Sequence, residues 1–146
     1  MSVYARFKRS QDGFRSLVEL LESTPQSRRK KMIDVGMAED PAYTEKALQY
    51  VLSFEDVMQL PDMELAELIA ASPPRMTGFS MARASEETQL RFLKNAKPQI
   101  AAQVKEYMGM TIGLAEIGGA QLKLIEITRR LEKKGLIQAK KIPVGA

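Results

Sequence analysis

Two pairs of adjacent carboxylates, Glu55-Asp56 and Glu86-Glu87, are the first residues whose types could do chemistry, since side-by-side acids can share general acid–base work. Each pair follows a serine, Ser53 or Ser85, at the spacing of a helix start. There an acid favours the positive end of the helix dipole, and a serine with an acid three residues on closes a capping box. That role accounts for both pairs. The chain has no His, which removes the commonest general base and metal ligand, and no Cys, which excludes disulfides and thiolate chemistry. Gly118-Gly119 is not followed by the Lys-Ser or Lys-Thr of a phosphate loop, and no serine sits in a recognisable nucleophile–base arrangement. Catalytic, cofactor and metal sites are therefore all read as none, and the protein as non-enzymatic.

The remaining chemistry is charge. Basic runs fall at Arg28, Arg29, Lys30 and Lys31 and at Arg129, Arg130, Lys133 and Lys134, within a net charge of +4. Such runs suit nucleic acid or anionic lipid, but they are more often solvated helix faces. The first lacks the interleaved aromatics that single-strand binders use for stacking. A basic adaptor for nucleic acid or an anionic membrane surface is thus the alternative reading, and the leading one has no nucleic-acid partner. No apolar run approaches the roughly 20 residues that span a bilayer, and the N-terminus lacks a signal-peptide core. Without cysteines the cytoplasm is the simplest location.

The elements that would position such residues read as helical throughout. Phe14, Leu17, Val18 and Leu21 recur at helical spacing, predicting a helix over 12–23 that Thr24-Pro25 stops. A polar helix from Ser27 to Val35 is expected to end at Gly36 in a left-handed conformation. Asp40-Pro41 restarts the chain with a cap and a proline at the first helical position, with Tyr43, Ala47, Tyr50 and Val51 on one face. Ser53 with Asp56, Pro61-Asp62, Pro73-Pro74, Ser85 and Pro98 mark further starts, and a helix over 75–84 carries Gly78. The longest helix is predicted over 114–134, with Ile117, Leu124 and Leu131 seven apart and Gly135 at its end. Gly118-Gly119 inside it suggests a close helix contact. The tail 136–146 reads as extended or frayed.

About eight or nine short helices with short links and no alternating pattern give an all-α fold, an armadillo-like right-handed stack cut from an α-solenoid. Nine methionines, with only five Phe and four Tyr, suit its helix-on-helix core. The expected division is an N-terminal extension over 1–11, a helical subdomain over 12–72, a second over 73–136, and a tail over 137–146.

An ordered series of segments resembles the family of the flagellar motor switch protein FliG. Phe54-Glu55-Asp56-Val57 and Gln59-Leu60-Pro61-Asp62 look like the start of its C-terminal part, and Glu86 to Asn95 resembles an acidic turn followed by an aromatic and a basic-Asn pair. Glu106-Tyr107-Met108-Gly109, Ala120-Gln121, Ile127 to Glu132 and Gly135 are similar to its final helices, in order. Upstream, Gly13 to Leu21 fits the pattern, and Glu39 to Phe54 is similar to the second half of the middle domain, so the resemblance covers roughly 12–138. It implies an armadillo-like fold, a cytoplasmic place at the flagellar base against the inner membrane face, and work through contacts with other switch-complex proteins or a second copy. Leu52, Phe54 and Val57 would bind a partner at the joint between helical units.

The departures are as informative. The family's amino-terminal domain and its early middle-domain motif have no counterpart, and the aromatic hinge motif appears as Val51-Leu52-Ser53-Phe54, keeping only its last Phe. Where the family presents charges to the stator, this sequence has Ala82 with Arg83 beside it, Gln99, Glu106-Tyr107 across a gap, and Gly113. Arg83, Lys105 and Glu106 are what remains of that surface. A contact held by complementary charge is expected to weaken severely when most of the charges go, so torque generation is not carried over.

Overall fold

The computed structural model describes residues 3–143, and among them it contains ten α-helices and no strand. Contacts divide the chain into two compact units, one of residues 1–52 with 140–146 and one of residues 53–139. The break therefore falls between Leu52 and Ser53, and the expected boundary at 72/73 lies inside the second unit.

The first unit holds α1 (Val3–Arg9), α2 (Gly13–Ser23), α3 (Gln26–Glu39) and α4 (Pro41–Tyr50). Its core is the α2 stripe Phe14, Leu17, Val18 and Leu21, joined by Tyr4, Ala47 and Ile142. Each such side chain contributes about 1.5–3 kcal/mol when fully buried. The stretch read as an extension is thus helical and part of the core: the Tyr4 hydroxyl donates to the Met32 carbonyl, and a Cβ at Gly13 would lie 1.4 Å from the Phe7 carbonyl oxygen. Over its described residues the tail forms no strand, and it is not frayed at Ile142, which is buried in this unit. Residues 144–146 of the expected tail and 1–2 of the expected extension lie outside the described residues.

Phe14 anchors α4 edge-on, with the Tyr43 and Tyr50 rings each 5.7 Å away. Asp40 starts α4 as read: its carboxylate accepts the Tyr43 N–H at 3.3 Å and pairs with the Lys8 ammonium at 2.7 Å. The Lys8 hydrogen bond, then that of Tyr43, holds the Asp40 carboxyl below its ordinary range. Gly36 does not end α3, which runs on to Glu39. It is a glycine because a Cβ there would meet Thr44 Oγ1 at 2.5 Å and the Tyr4 ring at 2.5 Å.

The second unit holds α5 (Phe54–Met58), α6 (Asp62–Ala71), α7 (Pro74–Ser80), α8 (Glu86–Lys94), α9 (Pro98–Met108) and α10 (Leu114–Lys133). α7 crosses α9 at Gly78, where a Cβ would lie 2.5 Å from Tyr107 Cβ and 2.7 Å from the Val104 carbonyl oxygen. Beside the crossing the Phe79 and Tyr107 rings meet at right angles, 5.6 Å apart. α10 rests on α5, α6 and α7 through the buried residues Ile117, Ala120, Leu124, Ile127 and Leu131. It closes in a Schellman motif: Gly135 takes φ +82°, its N–H donates to the Glu132 carbonyl, and the Leu136 N–H donates to the Leu131 carbonyl.

Two features of α10 differ from expectation. Gly118 and Gly119 make no close contact, since a Cβ at either would have nothing within 4 Å, and the helix continues through both. The second basic run is not all solvated: Arg129 pairs with Glu132 at 2.7 Å, with side chains only 3% and 1% exposed. Breaking a buried pair by removing one partner costs about 3–5 kcal/mol.

Candidate protein-binding site

The chain passes from the first unit to the second through Val51-Leu52-Ser53-Phe54, the segment read as the hinge. Leu52 is fully buried, and its N–H donates to the buried Glu22 carboxylate at 2.8 Å. Ser53 then caps α5 in a complete capping box: its hydroxyl accepts the Asp56 N–H at 3.2 Å, and the Asp56 carboxylate accepts the Ser53 N–H at 2.9 Å. Glu55-Asp56 accordingly stands at a helix start. Phe54 occupies the first helical position half-exposed, and Val57, one turn on, is fully buried. Of the three residues read as partner-binding, Phe54 is the one whose side chain reaches the surface.

Within the second unit stands a polar staple that reading the sequence did not find. Arg91 on α8 donates to the Met58 carbonyl at 2.7 Å, to the Leu60 carbonyl, and to the Asp62 carboxylate at 2.9 Å. The Asn95 amide reaches the same carboxylate at 3.4 Å and the Arg91 carbonyl at 2.9 Å. One guanidinium thus ties the end of α5 and the start of α6 to α8. Phe92 beside it is buried. The only sequence signal was the position of these residues within the segments that carry the family resemblance.

The three charged residues that the resemblance singles out, Arg83, Lys105 and Glu106, also lie in the second unit. Arg83 is exposed in the turn after α7, and Lys105 and Glu106 are exposed in the last turn of α9. Packing of α7 on α9 gathers the two segments, yet no side-chain hydrogen bond or ion pair joins the three among the described residues. Ala82 is half-buried, Gln99 is exposed in the first turn of α9, and Gly113 precedes α10, where an added Cβ would meet nothing within 4 Å. Tyr107 faces inward against Phe79. Tyr107 is half-buried, and Glu106 beside it is exposed.

Among the described residues no group of three or more acidic side chains is placed to hold a metal ion, and no helix is long and apolar enough to cross a membrane.

Comparison with known proteins agrees with this architecture. The profile of the family described as FliG C-terminal domain matches residues 37–138, which sets the segment from Glu39 to Phe54 with that domain and not the middle one. The flagellar motor switch protein FliG of Thermotoga maritima is 29% identical over 128 residues, covering 86% of this chain and 38% of the relative. Among solved structures, a FliG segment from H. pylori superposes with a TM-score of 0.64 at 22% identity, covering 86% of this chain and 60% of that one. Full-length FliG from Aquifex aeolicus gives 0.54 at 23% identity, covering 86% and 40%. The fold is thus the all-α, armadillo-like one, and the chain spans well under half the length of the curated relatives it matches.

Proposed function

The chain belongs to the family of the FliG C-terminal domain, and from that premise we propose that it is a component of a flagellar motor switch, working by protein contact and not by catalysis. The observation that carries this is the continuous match over residues 37–138, within which α4 to α10 fall in one piece. On this reading the protein sits on the cytoplasmic side of the flagellar base, against the inner membrane face. Its partners are other switch proteins or a second copy of itself. Phe54 is the contact residue of the hinge segment, and Leu52 and Val57, both buried, hold the backbone around it. Arg83, Lys105 and Glu106 are the remnant of a stator-facing surface. With Ala82, Gln99 and Gly113 uncharged, they supply too little complementary charge to steer a stator contact or fix its register.

The test is deletion of the gene in the organism that encodes it, with filament assembly and swimming scored separately and the full chain supplied back. Loss of filaments, or filaments that do not turn, each reversed by the full chain, supports a switch role. Filaments and swimming both unchanged overturn it. In the deletion strain, Phe54→Ala is expected to restore less motility than the unaltered chain, while Arg83→Ala restores as much.

A further inference from the structure

The segment after α10 carries two buried isoleucines, and they belong to different units. Ile137 is fully buried and lies in the second unit. Ile142 is 1% exposed and belongs to the core cluster of the first unit, with Leu17, Val18, Leu21 and Ala47. Between the two the chain is polar and turns, with Gln138, Lys140 and Lys141 exposed. Lys140 takes φ +47°, a left-handed conformation that costs energy for any residue with a Cβ. Ala139, Lys141, Ile142 and Pro143 make no hydrogen bond among the described residues. The hold of this segment on the first unit therefore rests on the Ile142 side chain and on Lys140, whose ammonium donates to the Val51 carbonyl at 3.0 Å. Val51 directly precedes Leu52, the residue whose N–H the buried Glu22 carboxylate accepts.

We propose that residues 139–143 are a releasable strap: the first unit has a seat for one isoleucine of an extended segment, and the chain fills that seat with its own Ile142. The other members of the cluster stand on helices, so Leu17, Val18 or Leu21 can leave only if the backbone bonds of α2 break. Ile142 can leave by rotation of a few exposed polar residues, and its departure relieves the left-handed turn at Lys140. Segments with few buried contacts and no backbone bonds of their own open well below the free energy of global unfolding. Release would open an aliphatic seat in the first unit and free the Val51 carbonyl, just where the chain leaves that unit. While closed, the strap denies the seat to any other extended aliphatic segment. The inference stands without the switch role, and a gene-deletion result does not bear on it.

The test uses the full chain, which has no cysteine of its own, in two single-cysteine variants, Ile142→Cys and Val18→Cys. Mass spectrometry follows their modification by N-ethylmaleimide in buffer and in low urea. Ile142→Cys is expected to react about a hundredfold or more faster than Val18→Cys. Low urea should barely change its rate, because a local opening exposes little surface. Fluorescence anisotropy with a labelled peptide of residues 138–143 then tests the seat, in the unaltered chain and in Ile142→Ser. A short tether holds its segment at an effective concentration of about 1 mM, so a strap closed about ten to one implies peptide binding at about 0.1 mM. Ile142→Ser, its seat vacated, is expected to bind the peptide about tenfold or more tighter than the unaltered chain does. The same peptide with Ser in place of Ile should not bind. Equal reactivity of the two thiols, equal peptide binding by the two chains, or no binding to Ile142→Ser at about 1 mM peptide would each overturn the proposal. So would a loss of helicity in the Ile142 variants, since a strap able to leave does not hold up the helices around its seat.

Discussion

The same substitution, Gly to Ala, is expected to change stability in opposite directions at two helical sites of the second unit. At Gly119 a methyl group would have no heavy atom within 4 Å, and the residue is exposed in an unbroken helix. The only terms left are backbone entropy and helix propensity, which favour Ala by about 1 kcal/mol. At Gly78 the propensity gain is the same, but the new Cβ would lie 2.5 Å from Tyr107 Cβ, 2.7 Å from the Val104 carbonyl oxygen and 3.0 Å from the Met108 nitrogen. Two of these neighbours are backbone, so α9 must move off α7, and such overpacking costs about 1–3 kcal/mol. Gly119→Ala is therefore expected to stabilise by about 1 kcal/mol and Gly78→Ala to range from neutral to about 2 kcal/mol destabilising. At this chain length each kcal/mol moves the midpoint by about 2–4 °C. Differential scanning calorimetry of both variants beside the unaltered chain measures the gap. Equal stabilisation of the two would refute the close crossing of α7 on α9, and a loss of stability at Gly119 would refute the reading of that surface as unoccupied.

Other expectations rest on different contacts. Arg91→Met keeps the aliphatic stem but removes hydrogen bonds to two carbonyls and a carboxylate; discounted for the solvent at its exposed edge, a loss of about 2–4 kcal/mol is expected by urea unfolding, and a loss under 0.5 kcal/mol would rule the staple out. Ser53→Ala opens the capping box and should cost about 1 kcal/mol, whereas Ser27→Ala, on the exposed first turn of α3, should cost almost nothing in the same assay. Asp40 has its folded-state pKa lowered by Lys8 and by the Tyr43 N–H, so the stability it contributes is present above the ordinary carboxylate range near pH 4 and is lost as pH falls through the depressed value. Asp40→Asn should flatten that acid limb of a melting-temperature profile, and an unchanged limb would show that the pair adds nothing.

Local signals proved legible, and long-range ones did not. Asp40-Pro41, Ser53 with Asp56, Pro98 and Gly135 announce helix ends through caps or fixed dihedrals that depend on a few adjacent residues, and the structure has helix ends at each. Gly36 carries the same local signature as Gly135, but its reason is the crowding of Tyr4 and Thr44, which come from other helices. Gly118-Gly119 suggested a close contact by the same logic and has none. α1 has only seven residues and little periodicity, so nothing local marks it as core. Its place follows from Tyr4 reaching the stripe on α2.

The residues that made the family recognisable are, in the structure, those that build the domain. Arg91, Asn95 and Asp62 are tied together, Phe92 is buried, Ser53 and Asp56 cap α5, and Arg129 with Glu132 forms a buried pair. Each is constrained by several neighbours at once, so exchanging any of them costs stability whatever partner the protein meets. The positions that the resemblance assigns to stator contact are under no such constraint. Ala82, Gln99 and Gly113 leave nothing unpaired by being neutral, and Tyr107 has been taken into the packing of α7 on α9. Residues that hold the domain together speak for the fold, and they say much less about partner choice. Partner choice rests on the exposed groups that packing leaves free to vary, and on the proposed reading Phe54 at the start of α5 is one of them.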